Sequence, residues 1–358
     1  MTKKPTDKNS KSKTKKILLY LALSLVAIIL IVGIVFAILV EVGKKSLLNT
    51  GNASIVVPEN IVDYDEDDGK TISYKGQKYK FNENITSILL IGVDKEKISS
   101  NPSDKFGANG QADLLLLLTL DTSNGNMRAI PISRDAMVDV NQYSVSGQYI
   151  GIQKEQICLS YSYGDGREKS CENTVTSVSR LLYGMPINSY IAIDIEGIKV
   201  LNDALGGVNI TATEDIDLYG MKIKKGQSAT LKGEYALGYI RSRDKVSIGA
   251  NNERMARQKN YMKAFFRTAI QKTKKDITTP IKLYNKASNY KVSDITVADV
   301  SFLTKCVLLS GKTELEFASI KGENIMGEKY VEFYPDMNAL YDVIVDTFYQ
   351  PVNNTKES

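Results

Sequence analysis

The chain has 358 residues, of which 43% are hydrophobic and 24% are charged, a composition typical of a folded protein. Its formal net charge of +5 is too small to indicate a nucleic-acid-binding surface. The sequence contains no histidine, which excludes Ser-His and Cys-His nucleophiles and removes the most common metal ligand. Any catalysis must therefore use carboxylates, Arg, Lys and Tyr, a set suited to phosphate chemistry with a hard metal ion.

The N-terminal segment combines a basic tail with a long apolar run. Its first residues carry one acid, Asp7, and a series of lysines: Lys3, Lys4, Lys8, Lys11, Lys13, Lys15 and Lys16. The run from Ile17 to Val40 is uncharged and exceeds the roughly 20 residues that a helix needs to cross a bilayer. A cleaved signal peptide has a shorter apolar region, of about 7 to 15 residues. We therefore predict a cytoplasmic tail at 1–16 and a transmembrane helix at 17–41.

The remainder of this single-pass protein is predicted to lie outside the cell membrane, because positive flanks stay in the cytoplasm. Residues 42–80 are polar and poorly patterned, as expected of an extracellular stalk. From Ile85 onwards, short apolar runs alternate with helical stretches, which is typical of a mixed sheet covered by helices. The sequence thus predicts an α/β domain at 81–350 and a polar tail at 351–358. Strands are predicted at 86–93, 114–120, 127–133 and 190–195, and helices at 197–205 and 253–271.

The second and third predicted strands are joined by Asn124-Gly125, the strongest short signal for a two-residue hairpin turn. With that turn, Ser123 pairs with Asn126, and Arg134 lies opposite Leu115. The predicted register therefore brings the end of the third strand beside the start of the second.

Three charged residues are predicted to meet at one rim of the sheet. Because side chains alternate between faces, Asp113 and Arg134 are diagonal neighbours on the same face. Asp94 ends the first strand and reaches this rim if that strand runs alongside the third in the same direction. Two carboxylates facing a guanidinium group predict a magnesium and phosphate site. The alternative is a structural ion pair beside an Asp that ends a strand.

Arginine is concentrated in one segment of a lysine-rich chain. Only nine of the 46 basic residues are arginine, and four of these fall between Arg241 and Arg257. The planar guanidinium group is suited to bidentate contact with phosphate or carboxylate. Arg254 and Gln258 are four residues apart and share a helix face with an apolar stripe. This cluster predicts phosphate contacts, or alternatively a charged edge with Gln258 bonded to a buried backbone group.

The three cysteines, Cys158, Cys171 and Cys306, lie in the segment predicted to be outside the membrane, where disulfides persist. Cys158 and Cys171 are predicted on consecutive helices joined by a loop at 164–169. A disulfide between them is our hypothesis, and it leaves one free thiol.

These segments together resemble the LytR-CpsA-Psr family. The resemblance covers roughly residues 85–275, with the matching segments in family order. They are Ile88–Asp94 (ILLIGVD), Gln111–Asp113 (QAD), Ile132–Val138 (ISRDAMV), Tyr161–Gly164, Ile187–Val208, Leu231–Arg243 (LKGEYALGYIRSR) and Glu253–Gln258 (ERMARQ). The resemblance implies a layered α/β/α domain with a central mixed sheet, in which sheet and helices enclose an apolar pocket for a polyprenyl tail. It also implies a pyrophosphate site at the pocket mouth.

The resemblance also implies roles for individual residues. Asp94 and Asp113 would hold Mg²⁺ or Mn²⁺, and Arg134 would stabilise the transferring phosphate. The catalytic base would be Asp94, Asp113 or Asp135. Further phosphate contacts would come from the Arg-rich segment: Arg241, Arg243, Asn251, Arg254 and Gln258.

The implied reaction moves a glycopolymer phosphate from a polyprenyl-pyrophosphate carrier to peptidoglycan and releases polyprenyl phosphate. The polymer would be teichoic acid, capsule or a similar glycan. Gln111, Gln156 and Asn251 stand where the family commonly has Arg, Lys and Asp, and each difference removes a charge. The alternative function is therefore a catalytically weakened binder of the lipid or of the wall polymer. A transcription regulator does not fit a domain placed outside the cell.

Overall fold

The computed structural model describes residues 8–48, 55, 56, 58, 63, 64, 70–95, 98, 109–144, 146–242 and 250–352, with side chains except at 8–23, 25, 26, 29, 63, 64 and 250–252. The strands in chain order are β1 (Asp63–Tyr64), β2 (Thr71–Tyr74), β3 (Gln77–Phe81), β4 (Ile85–Val93), β5 (Ala112–Asp121), β6 (Met127–Ile132), β7 (Met137–Tyr143), β8 (Tyr149–Gln156), β9 (Ser189–Asp194), β10 (Val208–Thr211), β11 (Ile216–Leu218), β12 (Met221–Ile223), β13 (Ser228–Leu231), β14 (Lys291–Ser293), β15 (Leu315–Phe317), β16 (Gly322–Met326), β17 (Val331–Pro335) and β18 (Tyr349–Pro351). The helices are α1 (Lys8–Leu47), α2 (Leu159–Ser162), α3 (Glu168–Leu181), α4 (Ile195–Ala204), α5 (Glu234–Arg241), α6 (Ala250–Lys275), α7 (Thr279–Lys286), α8 (Val297–Ser310) and α9 (Met337–Phe348). A 3₁₀ helix covers Ser288–Tyr290.

A six-stranded mixed sheet forms the centre of the fold, in the order β14-β9-β4-β5-β6-β15. β4 is parallel to β9 and antiparallel to β5, and β6 is antiparallel to β5. The α/β class with a central mixed sheet, predicted from the sequence, is therefore confirmed.

Helices cover both faces of this sheet. On one face, Leu117 of β5 packs in a cluster with Val178 of α3 and Ile344 of α9. On the other, Leu116 packs with residues of α6 and α8, among them Ile270. Because β5 is buried on both faces, its sequence is a nearly continuous run of leucine. The result is the layered α/β/α arrangement.

The turn between β5 and β6 is longer than predicted. The main-chain N–H of Asp121 donates to the carbonyl of Asn126 at 2.9 Å, so the loop contains residues 122–125. Observed pairs such as Leu115 with Ile132 are shifted by two residues from the predicted register. The predicted pairing of Ser123 with Asn126 is therefore wrong. A shift of two keeps every side chain on its predicted face, and it moves Arg134 towards a position opposite Asp113.

Helix α4 begins at the same rim where β4 ends. Asp194 caps it by accepting from the backbone N–H of Gly197 at 2.8 Å. The helix ends before Gly206 and Gly207, whose φ values of 75° and 96° are easily adopted by glycine. The predicted helix at 197–205 is confirmed, with its start two residues earlier.

The predicted stalk is shorter than the sequence indicated. The β2–β3 hairpin pairs with the C-terminal strand β18. Its residues Ile72, Tyr74 and Phe81 are buried in the main hydrophobic cluster. Residues before 81 therefore belong to the folded domain, because this hairpin needs the core to bury its apolar face.

Helix α1 continues into the folded domain and packs against α8. Val40 and Leu47 are buried in a cluster with Phe302 of α8. At Gly43 the helices are so close that a Cβ atom would overlap the backbone carbonyl of Ala298. Within the described residues, no helix has both the length and the apolar content that crossing a membrane requires. The transmembrane helix predicted at 17–41 lies inside α1 and is not confirmed.

Candidate active site at the rim of the sheet

The end of β4, the start of β5 and the end of β6 meet at one rim of the central sheet, because β4 and β6 both run antiparallel to β5. Asp94, Asp113 and Arg134 follow or occupy these strand ends. The first predicted strand does run in the same direction as the third, but β5 lies between them. The sequence thus placed the three side chains at the correct rim.

Arg134 is held by several acceptors. Its Nη1 donates to the Asp113 carboxylate, and its Nη2 donates to Oε1 of Gln111 at 2.7 Å and to Sγ of Cys158 at 3.5 Å. Burial opposes the charge of Arg134, but the neighbouring Cys158, Asp113 and Asp135 outweigh this effect and raise its pKa. The guanidinium group is therefore permanently charged and fixed in one orientation.

A second, looser ion pair lies beside the first. Arg241, the last residue of α5, approaches Asp94 with 3.4 Å between Nη2 and Oδ1. The two side chains are 58% and 51% exposed. An exposed pair at this distance contributes little to stability and can exchange its partner for a ligand oxygen at small cost.

Helix α6 contributes Arg254 and Gln258 from one face. Arg254 is 5% exposed, and both side chains line the same cavity as the two carboxylates. The next arginine, Arg257, points elsewhere and donates to Glu214 at 2.6 Å and to the carbonyl of Ser242. The shared face predicted for Arg254 and Gln258 is confirmed, and it separates them from Arg257.

These groups enclose a polar cavity of about 420 Å³. Apolar side chains of α4 and α5, such as Ile198 and Ile240, complete its wall. The cavity brings together most of the side chains that the sequence predicted for the site: Asp94, Asp113, Arg134, Arg241, Arg254 and Gln258.

Other predicted site residues lie elsewhere. Asp135 does not line the cavity; its Oδ1 lies 3.5 Å from Nε of Arg134 and 3.5 Å from Nε2 of Gln156. Gln156 also donates to the carbonyl of Val331 at 2.8 Å, so it too is turned from the cavity. Arg243 and the side chain of Asn251 lie outside the described residues.

An apolar cavity of about 370 Å³ adjoins the polar one, between the sheet and α4, α6, α7 and α8. Its wall includes Ile191 of β9, Ala269 and Phe266 of α6, and Leu303 of α8. The two cavities share lining residues at their junction: Gly92, Leu114, Ile198, Ile240 and Gln258. The arrangement fits an amphipathic ligand with its anionic group at the rim and its apolar chain between sheet and helices.

The donor set is compatible with a hard metal ion. In the described part of the chain, no group of three or more acidic or thiol side chains could hold a metal. Asp94 and Asp113, however, both face the polar cavity. Mg²⁺ commonly uses one or two carboxylates together with substrate phosphates and water, so two carboxylates beside phosphate-binding arginines fit such an ion.

The cysteines are separate thiols, and the predicted disulfide between Cys158 and Cys171 is wrong. Cys158 precedes α2 and faces Arg134, whereas Cys171 is buried on α3 in the main hydrophobic cluster. Burial raises the pKa of Cys158 to about 11 and also raises that of Cys171. Neither thiol is therefore an active nucleophile at neutral pH.

Gln111 and Cys158 are contacts of Arg134 that the sequence did not predict as site residues. Gln111 is two positions from Asp113, so the alternation of strand side chains could have placed it on the same face. For Cys158 no sequence signal was available, because its position depends on how the loop before α2 folds back on Arg134.

The chain is thus an α/β/α protein, with a mixed sheet between two helix layers and an arginine- and carboxylate-lined cavity that opens onto an apolar one. The chain belongs to the LytR_cpsA_psr family, whose profile matches residues 57–344.

Two curated relatives are similar in sequence. The polyisoprenyl-teichoic acid–peptidoglycan teichoic acid transferase TagU of Bacillus mycoides (strain KBAB4) is 29% identical over 221 residues, which is 57% of this chain and 64% of that protein. TagV of Bacillus subtilis (strain 168), with the same transferase description, is 28% identical over 270 residues, 72% of this chain and 62% of that protein. The matches thus span less than two thirds of either relative.

Solved structures share the fold. The crystal structure of B. subtilis TagV superposes with a TM-score of 0.57 at 26% identity, covering 74% of this chain and 96% of that one. A structure described as TagT bound to LI-WTA gives a TM-score of 0.55 at 18% identity, covering 74% of this chain and 89% of that one. The second likeness shows the fold alone.

Proposed function

We propose that this protein transfers a glycopolymer phosphate from a polyprenyl-pyrophosphate carrier to peptidoglycan and releases polyprenyl phosphate. The observation that carries the proposal is the continuity of the two cavities. A diphosphate fits the cationic rim, and an isoprenoid chain fits the apolar space behind it. The transferase names of the relatives support the same reaction and favour a teichoic acid as the polymer.

In this proposal an acceptor hydroxyl attacks the phosphorus that is bonded to the glycopolymer. The bond from that phosphorus to the bridging oxygen breaks, and polyprenyl phosphate leaves with the electron pair. Arg134, Arg241 and Arg254 neutralise the charge on the phosphate oxygens, which is the main source of rate enhancement in phosphoryl transfer. The hydroxyl proton passes to Asp94 or Asp113, the two candidate bases that line the cavity.

Asp94 and Asp113 are also the residues proposed to hold Mg²⁺ or Mn²⁺. A bound metal ion would add positive charge beside the phosphate oxygens. Direct binding of Mn²⁺ in the presence of pyrophosphate, followed by electron paramagnetic resonance, tests this independently of turnover. We expect Asp113→Asn to weaken that binding and the exposed Asp139→Asn on β7 to leave it unchanged; equal binding by both variants would contradict the assignment.

We further propose that α1 anchors the protein in the cell membrane, with residues 1–16 inside and the domain outside. Supporting this, a series of large apolar side chains in α1 is half exposed or more: Ile28, Leu30, Ile31, Val32, Ile34, Val35 and Ile38. Protease added to intact cells stripped of their wall should digest the domain. Protection until the cells are lysed would refute this orientation.

The transferase proposal is tested with the purified full chain, a lipid-linked glycopolymer, peptidoglycan and Mg²⁺. The measurement is release of polyprenyl phosphate together with covalent attachment of the polymer. We expect turnover by the natural chain, its loss in Asp113→Asn and its retention in Asp139→Asn. Tight binding of the lipid without turnover would instead support the alternative, a catalytically weakened binder.

A further inference from the structure

Two lysines of α6 share one aromatic ring. Nζ of Lys259 lies 5.4 Å from the ring centre of Phe317 on β15, and Nζ of Lys263 lies 5.9 Å from the same centre. The lysines are one helical turn apart, a spacing at which like charges repel. Burial lowers the pKa of Lys259, and the charge of Lys263 lowers it further. This pair of cations is therefore held together at a cost in free energy.

Neither lysine has a carboxylate partner among the described residues. The two glutamates that precede Phe317 in the chain are already engaged with arginines. Glu314 pairs with Arg267 at 3.0 Å, and Glu316 pairs with Arg128 at 3.4 Å. The positive charge of the lysine pair is thus uncompensated, and an anion placed between the two ammonium groups would stabilise both.

The lysine pair is continuous with the polar site. Lys259 and Phe317 line a small recess together with Asp113, Arg134 and Arg254. From this recess the positive charge continues along α6 to Lys263, at the β15 edge of the sheet. A polymer attached to a diphosphate in the polar cavity can follow this path, while the apolar cavity receives the lipid.

We infer that Lys259 and Lys263 bind a phosphodiester group of the glycopolymer, beyond the diphosphate that reacts. The inference rests on the proposed function and narrows its substrate class to polymers with phosphate in the repeating chain, as opposed to neutral polysaccharides. The non-bridging oxygens accept hydrogen bonds from both ammonium groups. Phe317 holds the two side chains in position through their contacts with its ring.

The first experiment compares two lipid-linked donors that differ only beyond the reacting diphosphate. One carries a neutral oligosaccharide, and the other carries additional phosphodiester units. For the double variant Lys259→Gln/Lys263→Gln, we expect KM to rise about tenfold for the phosphodiester donor and less than about twofold for the neutral one, with kcat unchanged. The control Lys272→Gln/Lys275→Gln removes the same charge from the other end of α6 and should behave like the natural chain.

Equal effects on the two donors, or the same effect in the control, would overturn the inference.

A second measurement does not depend on turnover: binding of soluble oligo(glycerol phosphate) to the full chain by calorimetry at low salt. Weaker binding only in the Lys259/Lys263 variant supports the phosphodiester site even if the chain turns over neither donor. The phosphodiester site and the transferase function can therefore fail independently of each other. Binding that is unchanged in this variant, or seen only with vesicles of anionic phospholipid, would overturn it.

Discussion

Replacing Arg134 by alanine is expected to affect both turnover and stability. The guanidinium group lines the polar cavity and faces the proposed phosphate. Removing a single preorganised donor of this kind lowers kcat by about 10²- to 10³-fold. Arg134→Lys keeps the charge but loses the planar fork, so we expect a smaller loss, of about tenfold.

The effect on stability follows from the groups that Arg134 leaves behind. The Asp113 and Asp135 side chains are 27% and 15% exposed, and Gln111 loses its 2.7 Å donor. Breaking a fully buried ion pair costs about 3 to 5 kcal/mol, and partial exposure reduces this to about 2 kcal/mol. For a domain of this size, that corresponds to a decrease in Tm of about 4 to 8 °C.

The assay measures release of polyprenyl phosphate at a temperature where the variant is fully folded by circular dichroism. Arg267→Ala is the control, because Arg267 lies on α6, pairs with Glu314 and is 52% exposed. Turnover by folded Arg134→Ala within about twofold of the natural chain would refute the role assigned to Arg134. The role would also be refuted if the loss of turnover were fully explained by the fraction of unfolded protein.

Three further predictions concern the apolar cavity, the α1–α8 contact and the buried thiol. Ala269→Phe fills the apolar cavity and should weaken binding of polyprenyl phosphate about tenfold, whereas Ala256→Phe on the exposed face of α6 should not; equal affinities would show that the lipid lies elsewhere. Gly43→Leu would overlap a backbone carbonyl of α8, whereas at Gly33 nothing lies within 4 Å of an added Cβ. Gly43→Leu should therefore speed proteolysis between α1 and β2, and the control Gly33→Leu should not. Burial raises the pKa of the Cys158 thiol from about 9 in the unfolded chain to about 11 in the folded protein. The unfolded state thus loses its proton first, so the free energy of unfolding should fall by at most about 1.4 kcal/mol per pH unit between about pH 9 and pH 11, a slope that urea titrations should find reduced in Cys158→Ala.

The faces of the central strands could be predicted from the sequence, but their register could not. Alternation placed Asp113 and Arg134 on one face, and that face survives the two-residue shift. The predicted two-residue turn is wrong because side-chain hydrogen bonds of Asp121 shape this loop. Its carboxylate accepts from the backbone N–H of Ser123 at 2.9 Å and from the Asn124 amide at 2.8 Å. These side-chain bonds stabilise a longer loop over the two-residue turn.

The limits of sequence reasoning are clearest for residues whose partners lie far along the chain. The sequence around Cys158 does not show whether its thiol contacts an arginine or forms a disulfide. Either partner is distant along the chain and is brought close only by the fold. Arg257 and Arg254 look equivalent in the sequence, but only Arg254 faces the cavity. Gln111 lacks the charge of the Arg that the resemblance leads one to expect at this position. Its amide oxygen nevertheless accepts a hydrogen bond from Arg134. That contact depends on the folded loop and could not be predicted from the sequence.

The packing of α1 on α8 limits where the active site can be. Gly43 packs against the backbone of Ala298, so the end of α1 is held close to α8 of the domain. If α1 is the membrane anchor, this contact limits how far the site can lie from the bilayer. If the acceptor is peptidoglycan, as proposed, its strands must then reach the site near the membrane, and growth of new wall there would decide where polymer is attached.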